Sequence, residues 1–135
     1  KYQIIMAKTK HIQSIGRRKT ASARVRLVSE AGESTVNGIP ADQYFPGIVL
    51  GSIYSLPFKS VEGDFHMTAV VSGGGISSQA QAVAHGLARA LAEKNNDWKP
   101  SLRAANLITR DSRMKERRKP GNAHAARAKK SSPKR

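Results

Sequence analysis

Residues 65–94 read FHMTAVVSGGGISSQAQAVAHGLARALAEK, and this stretch decides the fold. Phe65, Met67, Ala69 and Val71 alternate with His66, Thr68, Val70 and Ser72, and a period of two over this length predicts a half-buried strand over residues 65–72. Gly73-Gly74-Gly75 breaks it. Ile76, Ala80, Val83, Leu87, Ala90 and Leu91 then recur at three- and four-residue steps, which predicts an amphipathic helix over residues 76–94. Ser78, His85 and Arg89 fall on another face of that helix.

Upstream, Ala23, Val25 and Leu27 alternate with Arg24 and Arg26, giving a second half-buried strand over residues 22–28. Residues 34–36 followed by Asn37-Gly38 read as a short strand and a tight turn. Pro40 and Asp42 suit the start of a helical turn over residues 40–44. A short helix is expected over residues 48–56, ended by Pro57. Downstream, a further short helix over residues 99–106 places Leu102 beside the long one, and Leu107 and Ile108 close the core. The sum is an α+β fold, a small mixed sheet with helices packed on one side.

Charge divides the chain differently. There are 24 Lys and Arg against 9 Asp and Glu, a formal net charge of +15. Residues 1–28 hold eight basic side chains and no acidic one; residues 29–109 hold five against seven; residues 110–135 hold eleven against Asp111 and Glu116 alone. A near-neutral body therefore carries two basic ends, the pattern of binding arms for a polyanion rather than of a solubility device. The organisation read from this is an N-terminal extension over residues 1–15, a core over 16–109 and an extended basic tail over 110–135. After Met114 the tail is mostly Lys, Arg, Ala, Ser, His and Asn, too little apolar surface to offset the entropy of ordering, so it is expected to be disordered alone and extended when bound.

No stretch approaches the roughly 20 apolar residues of a bilayer helix. The chain has no Cys, so disulfides and thiolate metal sites are excluded. Ile4, Ile5 and Met6 are followed at once by Ala7 and Lys8, unlike a signal peptide, and Met6 is a candidate initiator.

Three motifs carry candidate chemistry. Gly16-Arg17-Arg18-Lys19-Thr20 is a basic knot just before a strand; guanidinium forks suit phosphate oxygens, although an ordinary basic loop reads the same way. Gly73-Gly74-Gly75-Ile76 between strand and helix could cradle an RNA phosphate on backbone N–H groups. It lacks the Gly-Lys-Ser/Thr ending of a nucleotide loop, and the plain alternative is a turn that lets strand and helix approach closely. His11, His66, His85 and His124 are scattered with no carboxylate at useful spacing, so no catalytic or metal constellation stands out and no cofactor is expected. Trp98, Tyr44, Tyr54 and Phe45 are too dispersed for a base-stacking platform.

Gly16-Arg17-Arg18-Lys19-Thr20 followed by Ala23-Arg24-Val25 resembles the N-terminal signature of the small-subunit ribosomal protein nine family. Gly73-Gly74-Gly75-Ile76 with Gln79-Ala80 and His85-Gly86-Leu87-Ala88-Arg89 resembles its central signature. Leu107-Ile108-Thr109-Arg110-Asp111-Ser112-Arg113, then Glu116-Arg117-Arg118-Lys119, resembles the start of its tail, and Lys134-Arg135 its bacterial-type ending. The resemblance covers residues 12–135. It implies a core of the ribosomal S5 domain-two type and a place in the head of the small subunit among neighbouring ribosomal proteins. It implies ribosomal RNA contacts by Arg17, Arg18, Lys19, Thr20 and Arg24. It implies the same for Gly73, Gly74, Gly75, Gln79, His85 and Arg89, and in the tail for Arg110, Arg113, Arg117, Arg118 and Lys119. Lys134 and Arg135 would reach the transfer RNA in the peptidyl site. The chain departs from the family at Ser78, where Gly is usual, and at Ala84, where a basic residue is usual; residues 122–128 are richer in Ala and poorer in Arg.

The expected function is a structural, non-enzymatic constituent of the small ribosomal subunit, in a bacterial cytoplasm or an organelle. A free-standing nucleic-acid chaperone or architectural protein obeys the same charge logic. A phosphate-handling enzyme would need a general base or metal cluster beside residues 73–75.

Overall fold

The strand and helix of residues 65–94 form where their periodicity puts them. The computed structural model describes residues 11–133 and shows β5 over His66–Ser72 and α3 over Ile76–Lys94. In chain order the other elements are β1 (His11–Arg18), β2 (Ala21–Val28), β3 (Thr35–Val36), β4 (Ile39–Pro40), α1 (Ala41–Tyr44), α2 (Ile48–Lys59), a 3-10 turn (Asn96–Trp98) and α4 (Lys99–Ala104). The sheet runs β1-β2-β5-β3-β4. β1/β2, β2/β5 and β3/β4 are antiparallel and β3/β5 is parallel, so the sheet is mixed. The fold is α+β, with the helices on one face.

Three strands face α3 with small or apolar residues: Ala21, Ala23, Val25 and Leu27 from β2, Met67, Ala69 and Val71 from β5, and Gly16 from β1. α3 answers with Ala80, Val83, Leu87 and Leu91, and α2 also packs on α3; Ala82, Ala84, Ala88 and Ala92 are buried too, Ala82 beside Gly16 of β1. Burial on both flanks requires a helix of small residues. Ile76, expected in the buried stripe, stays 46% exposed because the first turn of α3 leads out from the glycine loop.

The closest approach is between β1 and α3. A Cβ built on Gly16 would lie 1.9 Å from the Ala82 carbonyl oxygen and 2.3 Å from the Gly86 amide nitrogen. Two backbones can meet like this only where both lack a side chain, so Gly16 and Gly86 act as a matched pair. The Ser14 hydroxyl donates to the Gly86 carbonyl and Arg89 Nη1 donates to the Ile15 carbonyl at 2.6 Å, fastening the strand along the helix.

Two expectations are corrected. The hydrophobic period predicts no strand before residue 22, yet β1 pairs with β2 along its length, so His11–Ile15 belong to the sheet rather than to an extension. Pro57 does not end α2, which continues one turn to Lys59. The turn past Leu56 buries the Pro57 ring and half-buries Phe58 against the core, and the Ser60 N–H closes it on the Pro57 carbonyl at 3.2 Å. Proline lacks its own N–H, but burial in the last turn offsets one missing bond. The aromatic residues meet inside the fold, Phe45 with Tyr44 and Tyr54, and Phe65 with Trp98, so they serve packing.

Candidate nucleic-acid interface

The basic knot lies at one end of the sheet. Arg18 pairs with Ala21, leaving Lys19 and Thr20 as a two-residue connection with Lys19 at φ 52°. The pleat then decides the fate of each charge, because successive side chains in a strand face opposite ways. Arg17 points to the outer face and is exposed, and Lys19 stands at the tip.

Arg18 points inward and is 13% exposed at its side chain. Its Nε donates to Gln81 Oε1 at 2.7 Å and its Nη1 to the Arg113 carbonyl at 2.9 Å, with Asp111 3.6 Å from Nη2. Asp111 is also gripped by Arg113, whose Nη2 lies 2.8 Å from Oδ2. The Arg113 hydrogen bonds hold the Asp111 carboxyl well below the usual carboxylate range. The root of the tail is thus latched to β1 and α3.

His85 completes the latch from α3. Its Nδ1 accepts from the Arg17 backbone N–H at 3.2 Å and its Nε2 lies 3.0 Å from the Ile108 carbonyl. Those partners require the neutral tautomer with hydrogen on Nε2. Burial lowers its pKa from the usual 6.5, against the Ile108 hydrogen bond, and the charges of Arg89 and Arg110 lower it further.

The glycine run folds against the same turn. Gly73 and Gly74 take φ of 75° and 64°, and a Cβ on Gly73 would sit 2.7 Å from the Thr20 carbonyl oxygen. These two positions serve close approach, the plainer of the two readings. Gly75 caps α3 with open space above it. Gln79 is engaged at both ends of its amide: Nε2 donates to the Gly73 carbonyl at 3.0 Å, and Oε1 accepts from the Tyr44 hydroxyl at 2.7 Å.

Elsewhere, Arg24 lies exposed on the outer face of β2, in register between Ile15 and Val70. Sequence reasoning named it but passed over Arg26, its neighbour on that face between Gln13 and Thr68. The alternation that revealed β2 already placed both on one side.

Beyond Arg113 the described tail has turns but no helix or strand. Arg110 Nη1 bonds the Asp111 carbonyl. Glu116 joins Lys119 at 3.2 Å and Arg127 at 3.0 Å, around a bend in which the Ala125 N–H donates to Asn122 at 3.0 Å. Arg117 and Arg118 are exposed. Lys134 and Arg135 lie outside the described residues. The sequence-named residues therefore fall into separate sets, with Arg117, Arg118 and Lys119 along the tail beyond its root. The turn, the glycine loop and the tail root come together at one end, whereas Arg24 stands on the outer face. Among the described residues no group of three or more His, Cys, Asp or Glu could hold a metal ion, and none of the described helices is long and apolar enough to cross a membrane.

The family model for ribosomal protein S9/S16 matches residues 16–135, and the chain belongs to that family. It is accordingly a ribosomal protein of the small subunit that binds ribosomal RNA, in a family whose role is structural rather than enzymatic.

Proposed function

We propose, from membership in this family, that the chain anchors ribosomal RNA in the small-subunit head and delivers its tail to the transfer RNA of the peptidyl site. The observation that carries the reading is the segregation of charge: exposed cations at the hairpin tip and along the tail, on a body that is nearly neutral. Affinity from such groups comes mainly from phosphate neutralisation and counterion release. Arg17, Lys19, Arg24, Arg117 and Arg118 are the direct contacts. Arg18, Gln79, His85, Arg89 and Arg113, already bonded within the chain, hold those contacts in place. Residues 114–135 can span roughly 70 Å when extended, enough to carry Lys134 and Arg135 from the core into an RNA cleft. Neighbouring ribosomal proteins complete the set of partners, in a bacterial cytoplasm or an organelle.

The test is incorporation followed by truncation. One copy per small subunit is expected, whereas a free-standing nucleic-acid chaperone would bind RNA and stay out of the particle. Deleting Lys134 and Arg135 should leave incorporation intact and speed transfer RNA dissociation from the peptidyl site at matched salt. Equal dissociation rates would remove the transfer RNA contact from the proposal.

A further inference from the structure

The helices occupy one face of the sheet, and among the described residues nothing covers the other. Its outward positions on the three long strands are His11, Gln13, Ile15 and Arg17, then Ser22, Arg24, Arg26 and Val28, then His66, Thr68, Val70 and Ser72. None is acidic. Arg24 and Arg26 are two residues apart on one strand, about 6.7 Å along it, and Arg17 is the diagonal neighbour of Arg24 at about 7–8 Å. Among the described residues neither the Arg24 nor the Arg26 side chain has a hydrogen-bond or ion-pair partner. The nearest carboxylate in sequence, Glu30, stands past the end of β2, where it lines a shallow hollow with Arg26, His11 and His66.

We propose that this uncovered sheet face, carried by Arg24 and Arg26, docks the sugar–phosphate backbone of double-helical RNA, which rests on the reading of the chain as a ribosomal RNA binder. A row of three guanidinium groups without ion-pair partners among the described residues calls for a polyanion of regular spacing. The choice of duplex over single strand follows from what the face lacks. It presents no Phe, Tyr or Trp at any outward position, so it offers no platform for unstacked bases. Gln13, Ser22, Thr68 and Ser72 instead supply short hydrogen-bonding groups suited to phosphate oxygens and ribose hydroxyls. The core thereby holds RNA on a surface separate from the latch and the tail.

The experiment uses the full chain and a 20-base-pair RNA duplex of mixed sequence as the probe. Log affinity is measured against log salt concentration for the wild type and for the double variant Arg24→Gln, Arg26→Gln. Two lost contacts should flatten the slope by about 1.8, with the thermal transition unchanged because both side chains are exposed. The variant Arg24→Lys, Arg26→Lys should restore most of the slope. An unchanged slope in the glutamine variant, with wild-type binding intact, overturns the inference alone. Failure of the wild type to bind RNA in a salt-dependent way would overturn the RNA-binding reading with it. In assembled subunits, a single cysteine at exposed Val70 carrying a hydroxyl-radical probe should cut paired ribosomal RNA; the chain has no other cysteine. Cross-linking of that position to a neighbouring protein without RNA cleavage overturns the assignment.

Discussion

The β1–β2 hairpin end and the tail are both rich in Lys and Arg, yet they use them differently. In the hairpin the pleat separates neighbours, so Arg17 faces solvent while Arg18 is drawn into contacts with Gln81, Asp111 and the Arg113 carbonyl. In the tail the cations are exposed, and their few carboxylate partners lie on the surface, as with Glu116. The lesson is that a count of basic residues does not give the number free to meet a phosphate. Backbone geometry sets that number in the hairpin, whereas composition sets it in the tail.

The contrast is sharpest for stability. Gly16→Ala puts a methyl into the backbone of α3, where nothing flexible can yield, and should destabilise by about 3 kcal/mol or more in a denaturant titration. Ending the chain at Arg113 removes far more atoms, yet should leave the transition cooperative and close to that of the full chain. If truncation cost more than the glycine change, the tail would be part of the core and the contrast would collapse.

Within the hairpin the difference between adjacent residues should be visible in two separate readouts. Arg17→Ala with Lys19→Ala should flatten the salt dependence of RNA binding by about 1.4–1.8 while leaving the melting transition in place. Arg18→Ala should do the reverse, lowering stability by about 1–2 kcal/mol with little change in slope. Equal slope losses for all three positions would show that Arg18 leaves its internal partners when RNA arrives.

A smaller effect tests the latch by pH. The folded-state pKa of His85 is depressed below 6.5, so the native chain binds fewer protons than the unfolded chain in the interval between the two values. Its contribution is therefore complete above pH 6.5 and falls as the pH drops toward the folded value. His85→Gln should remove that part of the slope of stability against pH. The smallest effect belongs to the tail: Glu116→Gln breaks only exposed contacts, and the melting midpoint should not move.

Much of this architecture was legible beforehand. β2, β5 and α3 follow from hydrophobic period, to within a residue or so at each end. β1 was not legible, for a reason visible in the fold. Its inward residues are Ile12, Ser14, Gly16 and Arg18, three of them small or charged because α3 approaches so closely, so the apolar alternation that marks a strand is missing. Without β1 there is no parity to separate Arg17 from Arg18, and the basic knot reads equally as a phosphate-binding cluster and as an ordinary basic loop. The glycine run was legible as a turn, but the internal bonds of Gln79 and His85 were not. They depend on partners, Tyr44 and Ile108, that only the tertiary arrangement brings near.

The latch also has a place in time. Arg18 reaches across 95 residues to the Arg113 carbonyl and Ser14 across 72 to Gly86, so the first strand is made early and finished late. During synthesis at roughly 5–20 residues per second, the hairpin can zip on local contacts while its inner side waits for α3 and then for the tail root. Until residues 111–113 have been made, the guanidinium of Arg18 has neither the Asp111 carboxylate nor the Arg113 carbonyl to hold, and the hairpin displays one more unpaired cation than it does in the finished protein.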